Sequence, residues 1–223
     1  VAKIKIKGVI VSNDDKWVYD WFGIESVSPG DVVAQIDQSL GEDIEVEINS
    51  GGGDVYSGSE IYTALKAYKG NVITQIVGIA ASAASVVAMA GKKVSISPTA
   101  QIMIHNVSSM GSGDYRDFEH EAKVLKNFNV SIANAYILKT GMKQKDLLDM
   151  MNKETWLNAQ QALELHFADE IMFNESRLVA GIYQGMIPQE VIAKMKSQKI
   201  NEKNDEAKLA SAKLKLLFLK GAN

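Results

Sequence analysis

The chain has 223 residues, with 24 Lys and Arg against 27 Asp and Glu and a formal net charge of −3. That length holds one α/β domain with a full core and a small appendage, and the interspersed charges leave no basic footprint for nucleic acid. With no cysteine, disulfides and thiolate metal sites are excluded, and a reducing compartment is permitted.

Val1-Ala2-Lys3-Ile4-Lys5-Ile6-Lys7 alternates with a period of two, as a strand does and a secretory signal does not. A strand is expected over Lys3 to Val11, with Lys16 to Trp21 as its partner strand. Ser28-Pro29-Gly30-Asp31 is a helix start: Ser28 as N-cap, Pro29 at the first position and Asp31 in the first turn. Val32, Ile36 and Leu40 form its apolar stripe, and Gly41 ends it. Ile44 to Ile48 is a strand running into Asn49-Ser50-Gly51-Gly52-Gly53. Ser59 to Tyr68 is amphipathic, with Ile61, Leu65 and Tyr68 on one face.

Val72 to Gly91 is apolar enough to raise a membrane span, and no membrane association is expected from it. Its Thr74, Gln75, Ser82 and Ser85, its alanine content and its change of period read better as a buried strand, Val72 to Val77, then a buried helix, Ser82 to Ala90. Short strands follow at Lys93 to Ser97 and Gln101 to Ile104. A long helix is predicted from Tyr115 to Lys139, with Phe118, Ala122, Leu125, Ile132 and Tyr136 inside and Gly141 as stop. Shorter helices lie near Lys145–Met151 and Ala159–Phe167, the second opened by Asn158 with Gln161 three positions on. Ile171 to Phe173 closes the core as a strand. This βαβα order argues a mostly parallel sheet with right-handed crossovers. The main domain is expected over residues 1–180 and a helical tail over 181–223. Pro188 opens the tail's Lys/Glu/Asn-rich stretch, which ends in the apolar run Leu214 to Leu219. It reads either as a solvated or packed terminal helix, or as a docking element for another subunit or a linker to a further region.

Three runs carry chemistry. Gly51-Gly52-Gly53 lets a foreign backbone approach and lets N–H groups point inward. A phosphate loop is excluded because no lysine follows Gly58, and a dinucleotide fingerprint fails because Tyr56 stands where its third glycine belongs. Ser82 sits among Ala80, Ala81, Ala83 and Ala84, with almost no side-chain bulk around it, at the start of a helix. It reads as a nucleophile with the Ala83 N–H as an oxyanion donor, or else as a plain helix cap. Ser85 is a rival that should face the packing. Of the three histidines, His120 lies among charges and reads as solvated, and His166 sits near a helix end. His105 ends an apolar strand and opens a Ser/Gly-rich loop, a position suited to a catalytic base. No second histidine lies at ligand spacing, so neither metal nor cofactor is expected. The orienting acid is open among Glu154, Asp169, Asp54 and Asp114.

In combination and order, these motifs resemble the ClpP family, the proteolytic subunit of Clp proteases. Asn49-Ser50-Gly51-Gly52-Gly53 is similar to the family's N-S-P-G-G, with Gly51 in place of proline. Gly78-Ile79-Ala80-Ala81-Ser82 is similar to its G-x-A-A-S and Met103-Ile104-His105 to its M-I-H. Glu154-Thr155-Trp156-Leu157-Asn158-Ala159 resembles the segment that carries the family's acid, which puts Glu154 in the place of an aspartate. Asp169 then matches a structural aspartate, with His166 where glycine is usual.

The resemblance implies a ClpP/crotonase-like spiral of ββα units with a mostly parallel sheet and a long protruding helix. It implies a serine endopeptidase with Ser82, His105 and Glu154 catalytic and the N–H groups of Gly52 and Ala83 as oxyanion hole. Gly53, Asp54, Val55, Asn106 and Val107 are expected along an extended polypeptide substrate. Homo-oligomeric rings follow from the same resemblance, with the long helix between rings. Gly53-Asp54-Val55 and Glu154-Thr155-Trp156 are closer to phage and prophage relatives, and the N-terminal region differs from the family's axial-loop segment. These departures favour a phage head maturation (prohead) protease acting on capsid or scaffold protein, in the bacterial cytoplasm or the prohead. The alternatives are a Clp-type proteolytic subunit working with an AAA+ unfoldase in protein turnover, a catalytically inactive capsid-assembly component, and a crotonase-like thioester enzyme.

Overall fold

The computed structural model describes residues 1–173. The expected 181–223 tail lies outside the described residues. A single eight-stranded sheet organises the rest, in the order β2-β1-β3-β4-β5-β8, with β6 branching from β4 and β7 from β6. Every pairing is parallel except β6 with β7. The mostly parallel α/β architecture read from the sequence is therefore the one observed.

Strands β1 (Ala2–Ile10) and β3 (Ile44–Gly53) keep the strict alternation of their sequences. Ile4, Ile6, Ile44, Val46 and Ile48 are fully buried. The lysines and glutamates between them form a charged ladder on the other face, with Lys3 on Glu45 and Lys7 on Glu47. Parallel strands buried on both faces read as continuous apolar runs; this pair of strands is buried on one.

Lys16 to Trp21, expected as a partner strand, is instead helix α1 (Lys16–Trp21). The local contacts explain the correction. Ser12 Oγ bonds Asp15 and closes a turn, Lys16 pairs with Asp20 four residues on, and Trp17 and Trp21 stack at the same spacing, with ring centroids 6.3 Å apart. The real neighbour of β1 at this edge is the two-residue β2 (Ser26–Val27).

Helix α2 (Pro29–Gln38) begins as its sequence dictates, with Ser28 and Asp31 in a reciprocal capping box. It stops before Leu40, which is 91% exposed at φ 50° and so leaves the predicted stripe. Helix α3 (Val55–Ala67) starts earlier than its amphipathic pattern suggested, because the Asp54 carboxylate accepts from the Ser57 N–H and hydroxyl and caps it there. Strand β4 (Val72–Ala81) then runs longer than expected. Its register against β3 slips between Ile48 and Ser50. There the Asn49 side chain accepts from the Ile79 N–H at 3.2 Å and fills the space a Cβ on Gly78 would need.

Helix α4 (Ala83–Ala88) is buried throughout, which places Val72 to Gly91 in the core. Among the described residues no helix is long and apolar enough to cross a membrane. Strands β5 (Lys93–Ile96) and β6 (Gln101–Ile104) take opposite ends of β4: β5 pairs with Ile73–Ile76 and β6 with Ile79–Ala81.

Helix α5 (Tyr115–Thr140) spans 26 residues, about 39 Å. Only its C-terminal half is buried, through Asn129, Ala133, Ala135, Tyr136 and Thr140, and it packs against helix α4 and the helix that follows α5. Phe118 and Ala122, expected inside, are exposed, because the helix outruns the core at that end. Gly141 stops it at φ 72°. Helices α6 (Gln144–Asn152) and α7 (Ala159–Glu164) flank β7 (Thr155–Asn158), and Asn158 with Gln161 forms the anticipated capping box. Strand β8 (Glu170–Ile171) is shorter than predicted and leaves Phe173 exposed.

Asp169 ties this last segment down. One carboxylate oxygen accepts from the Val94 N–H at 2.6 Å and from Lys139 of α5. The Lys139 side chain is only 9% exposed. Replacing Asp169 by Ala should leave that ammonium without a counter-ion and cost about 2 kcal/mol, read as a lower urea midpoint at unchanged slope.

Candidate active site

The branch in the sheet builds the site. The end of β4 pairs with β6 so that Ala81 lies opposite Met103, and the Ser82 N–H donates to the Met103 carbonyl at 3.0 Å. Two residues after Met103, just past the end of β6, His105 brings its ring to the serine: Nε2 lies 2.8 Å from Ser82 Oγ. Both side chains are partly buried. A hydroxyl in contact with an imidazole, at the end of two adjacent strands, is the geometry that a nucleophile and its general base require.

Ser82 is held at φ 52°, ψ −126°, where an L-residue is strained by about 1–3 kcal/mol. This throws its Oγ out at the start of α4 and makes no side-chain cap, so the plain-cap reading of this serine does not describe it. Ser85 is fully buried, as expected for a residue facing the packing.

The glycines press against this elbow. A Cβ on Gly52 would lie 2.7 Å from Ser82 Cβ and 2.9 Å from the Ala83 nitrogen. A Cβ on Gly53 would strike the Ile10 carbonyl at 2.1 Å. Gly51, by contrast, faces open space. The run forms the end of β3 and not a free turn, paired to β1 through Val9 with Gly52 and Ile10 with Gly53. The two expected oxyanion donors differ in state. The Ala83 N–H is the first of α4 and has no partner within the helix. The Gly52 N–H donates to Ser50 Oγ at 3.1 Å, while that hydroxyl donates to the Gly8 carbonyl.

A cleft of about 400 Å³ opens beside the pair. Val86 and, from α5, Leu125, Phe128, Ile132 and Tyr136 give it apolar walls, and Tyr56 meets Phe128 edge to face at 5.3 Å. Gly53, Asp54, Val55 and Val107 also line it. Asn106 does not; its amide donates to Asn152 at 2.9 Å.

The sequence of this chain matches the Clp protease family over residues 31–175, more than half its length. It is 30% identical over 165 residues to the ATP-dependent Clp protease proteolytic subunit of Deinococcus radiodurans, covering 71% of this chain and 80% of that one. The corresponding subunit of Bacteroides fragilis is 31% identical over 137 residues, 60% of this chain and 66% of the relative. The chain belongs to the Clp protease family.

Within this Clp protease fold the candidate acids are placed as follows. Asp54 caps α3, Asp114 caps α5 and pairs with Arg116, and Asp169 holds Val94 and Lys139. Glu154 is exposed at φ 49°, and its carboxylate accepts from Trp156 Nε1 at 3.3 Å. Among the described residues no carboxylate hydrogen-bonds the His105 ring. The backbone nevertheless brings Glu154 close. Strands β6 and β7 are antiparallel with Ile104 opposite Thr155, so the next pair in that register is His105 and Glu154. His120 is exposed, as its charged neighbours indicated. His166 follows α7 at φ 61°, a left-handed position that suits the glycine whose place it takes.

Three contacts around the site escaped the sequence reading, although Tyr136 itself was expected inside α5. Asn129 of α5 accepts from the Val107 N–H at 2.8 Å and pins the loop after His105. Asn152 anchors Asn106, and Tyr136 reaches under α4 to Ser85. An asparagine inside a long helix pattern was the one available signal for the first; the others depend on contacts across 46 and 51 residues.

The glycines make a clean comparison. Gly52→Ala should abolish covalent labelling of Ser82 by a fluorophosphonate, because its Cβ would displace the elbow. Gly51→Ala should label at the parent rate and fold with stability within about 1 kcal/mol of it.

Proposed function

We propose that this protein is a serine endopeptidase of the Clp type, with Ser82 as nucleophile and His105 as base. The 2.8 Å contact between Ser82 Oγ and His105 Nε2 carries the reading. His105 takes the hydroxyl proton as Oγ attacks a peptide carbonyl, then returns it to the leaving amine. Water enters by the same base and hydrolyses the acyl-enzyme. The Ala83 N–H meets the developing oxyanion, joined by that of Gly52 once it turns away from Ser50. Glu154 is the proposed third member. Its register position beside His105 supports this, and it reaches the ring by exchanging Trp156 for Nδ1. The peptide lies extended along Gly53–Val55 and the loop after His105, with an apolar side chain in the cleft beside Ser82.

The relatives' names, each the proteolytic subunit of an ATP-dependent Clp protease, support the reading as a proteolytic subunit that works on polypeptides with an ATP-driven partner. They favour it over phage head maturation, for which the sequence departures at Gly53–Val55 and Glu154–Trp156 are the only support. The half of α5 that leaves the core, with Phe118 54% exposed, is the surface we assign to contact between rings.

A fluorophosphonate probe with mass spectrometry tests the assignment. Label is expected on Ser82 alone, with Ser82→Ala and His105→Ala each losing about three to six orders of magnitude in peptide hydrolysis. Label on any other serine, or none on an active preparation, would falsify it. Glu154→Gln should lower kcat by about 10²–10⁴-fold, while Asp169→Asn should leave the rate of Ser82 labelling within about threefold of the parent.

A further inference from the structure

Beneath Ser82 lie two hydroxyls that the chemistry above does not use. Ser85 Oγ is 2.6 Å from the Ser82 carbonyl oxygen and 2.7 Å from the Tyr136 hydroxyl. The directions of both protons follow from the inventory of donors. A carbonyl only accepts, so the Ser85 hydroxyl donates to Ser82, and Tyr136 must then donate to Ser85. Ser85 and Tyr136 are both buried, at 0% and 1% exposure, and the Tyr136 ring is fixed against Phe167 with centroids 5.7 Å apart. Burial pushes the Tyr136 phenol far up, so it stays protonated and remains a donor at any working pH.

The carbonyl they hold is not an arbitrary one. The Ser82 C=O and the Ala83 N–H are the two poles of one planar trans peptide, so fixing the direction of the first fixes the second. The Ser82 carbonyl accepts from the Ser85 N–H at 2.9 Å as well as from its hydroxyl. On the other side, the Ser82 N–H is held by Met103. These bonds oppose the relaxation of a residue held at φ 52°.

We propose that Tyr136 and Ser85 are positioning residues: the chain from Tyr136 through Ser85 to the Ser82 carbonyl locks the Ser82–Ala83 peptide plane and aims the Ala83 N–H at the oxyanion. This rests on the serine-peptidase reading of the same site. It also separates Ser85 from nucleophilic chemistry, since its proton is already committed to a carbonyl.

The informative variant is Ser85→Ala combined with Tyr136→Phe. Removing one hydroxyl alone can leave the other buried without a partner, whereas removing both leaves an apolar contact and little loss of stability. The double variant should melt within about 3 °C of the parent. Its kcat should fall about 10–100-fold with KM within about twofold, and fluorophosphonate labelling of Ser82 should slow by the same factor. The pH profile should keep its acid limb, because His105 is untouched. A folded double variant with the parent's kcat, or with a loss confined to KM, overturns the proposal. If the double variant does not fold, Tyr136→Phe decides alone: a kcat reduced about threefold or more at unchanged KM sustains the relay, and the parent's kcat overturns it. A parent protein that neither hydrolyses peptides nor labels at Ser82 overturns the peptidase reading itself, and the relay with it.

Discussion

The site depends on one feature of the sheet, the sharing of β4 between two neighbours. Its first half pairs with β5 and its last residues with β6, and the hydrogen bond from the Ser82 N–H to Met103 closes that second ladder. A parallel register slipped by two residues would move His105 a full pleat, about 7 Å, away from Ser82. The bulge around Asn49 and Gly78 is what permits the arrangement. It re-aims the end of β4 after Ile76 while leaving β3 free to carry its glycines up to the elbow.

Around that register the structure concentrates strain and small residues together. Ser82 holds a left-handed conformation, Gly52 stands where no side chain fits, and the alanines of α4 let three elements meet at backbone distance. Buried hydrogen bonds to both the N–H and the carbonyl of Ser82 oppose its relaxation. The same bonds make the elbow stiff, which suits an oxyanion donor that must be in place before charge develops.

Helix α5 joins structure to chemistry. Its packed half supplies Tyr136 beneath Ser82, Asn129 to the loop after His105, the apolar walls of the cleft, and Lys139 to Asp169. Its other half leaves the core and exposes Phe118. Leu125 and Phe128, which line the cleft, lie where the two halves meet.

Much of this was legible in the chain itself. Alternating Ile and Lys wrote β1, capping boxes wrote the starts of α2 and α7, and alanines around Ser82 with an apolar strand before His105 marked the two side chains that meet at the site. Those signals are local, since a period, a cap or a steric requirement acts within a few residues. The errors came where contacts beyond the pattern decide. Lys16 to Trp21 has the apolar content of a strand yet closes its own helical contacts. Leu40 completes a stripe that the helix does not reach, and Phe118 and Ala122 share a face with core residues on a helix longer than its core. The sequence by itself determined the parallel α/β class and singled out Ser82 and His105, whose side chains the structure brings within 2.8 Å of each other. Only the tertiary structure decided that Asp169 is spent on Lys139 and Val94, that Glu154 lies next to His105 in register while its carboxylate rests on Trp156, and that Ser85 and Tyr136 meet beneath Ser82. The reason is physical: apart from the Glu154–Trp156 contact these partners lie 30 to 75 residues from one another, and sheet register and helix packing, which no local propensity encodes, set their distances.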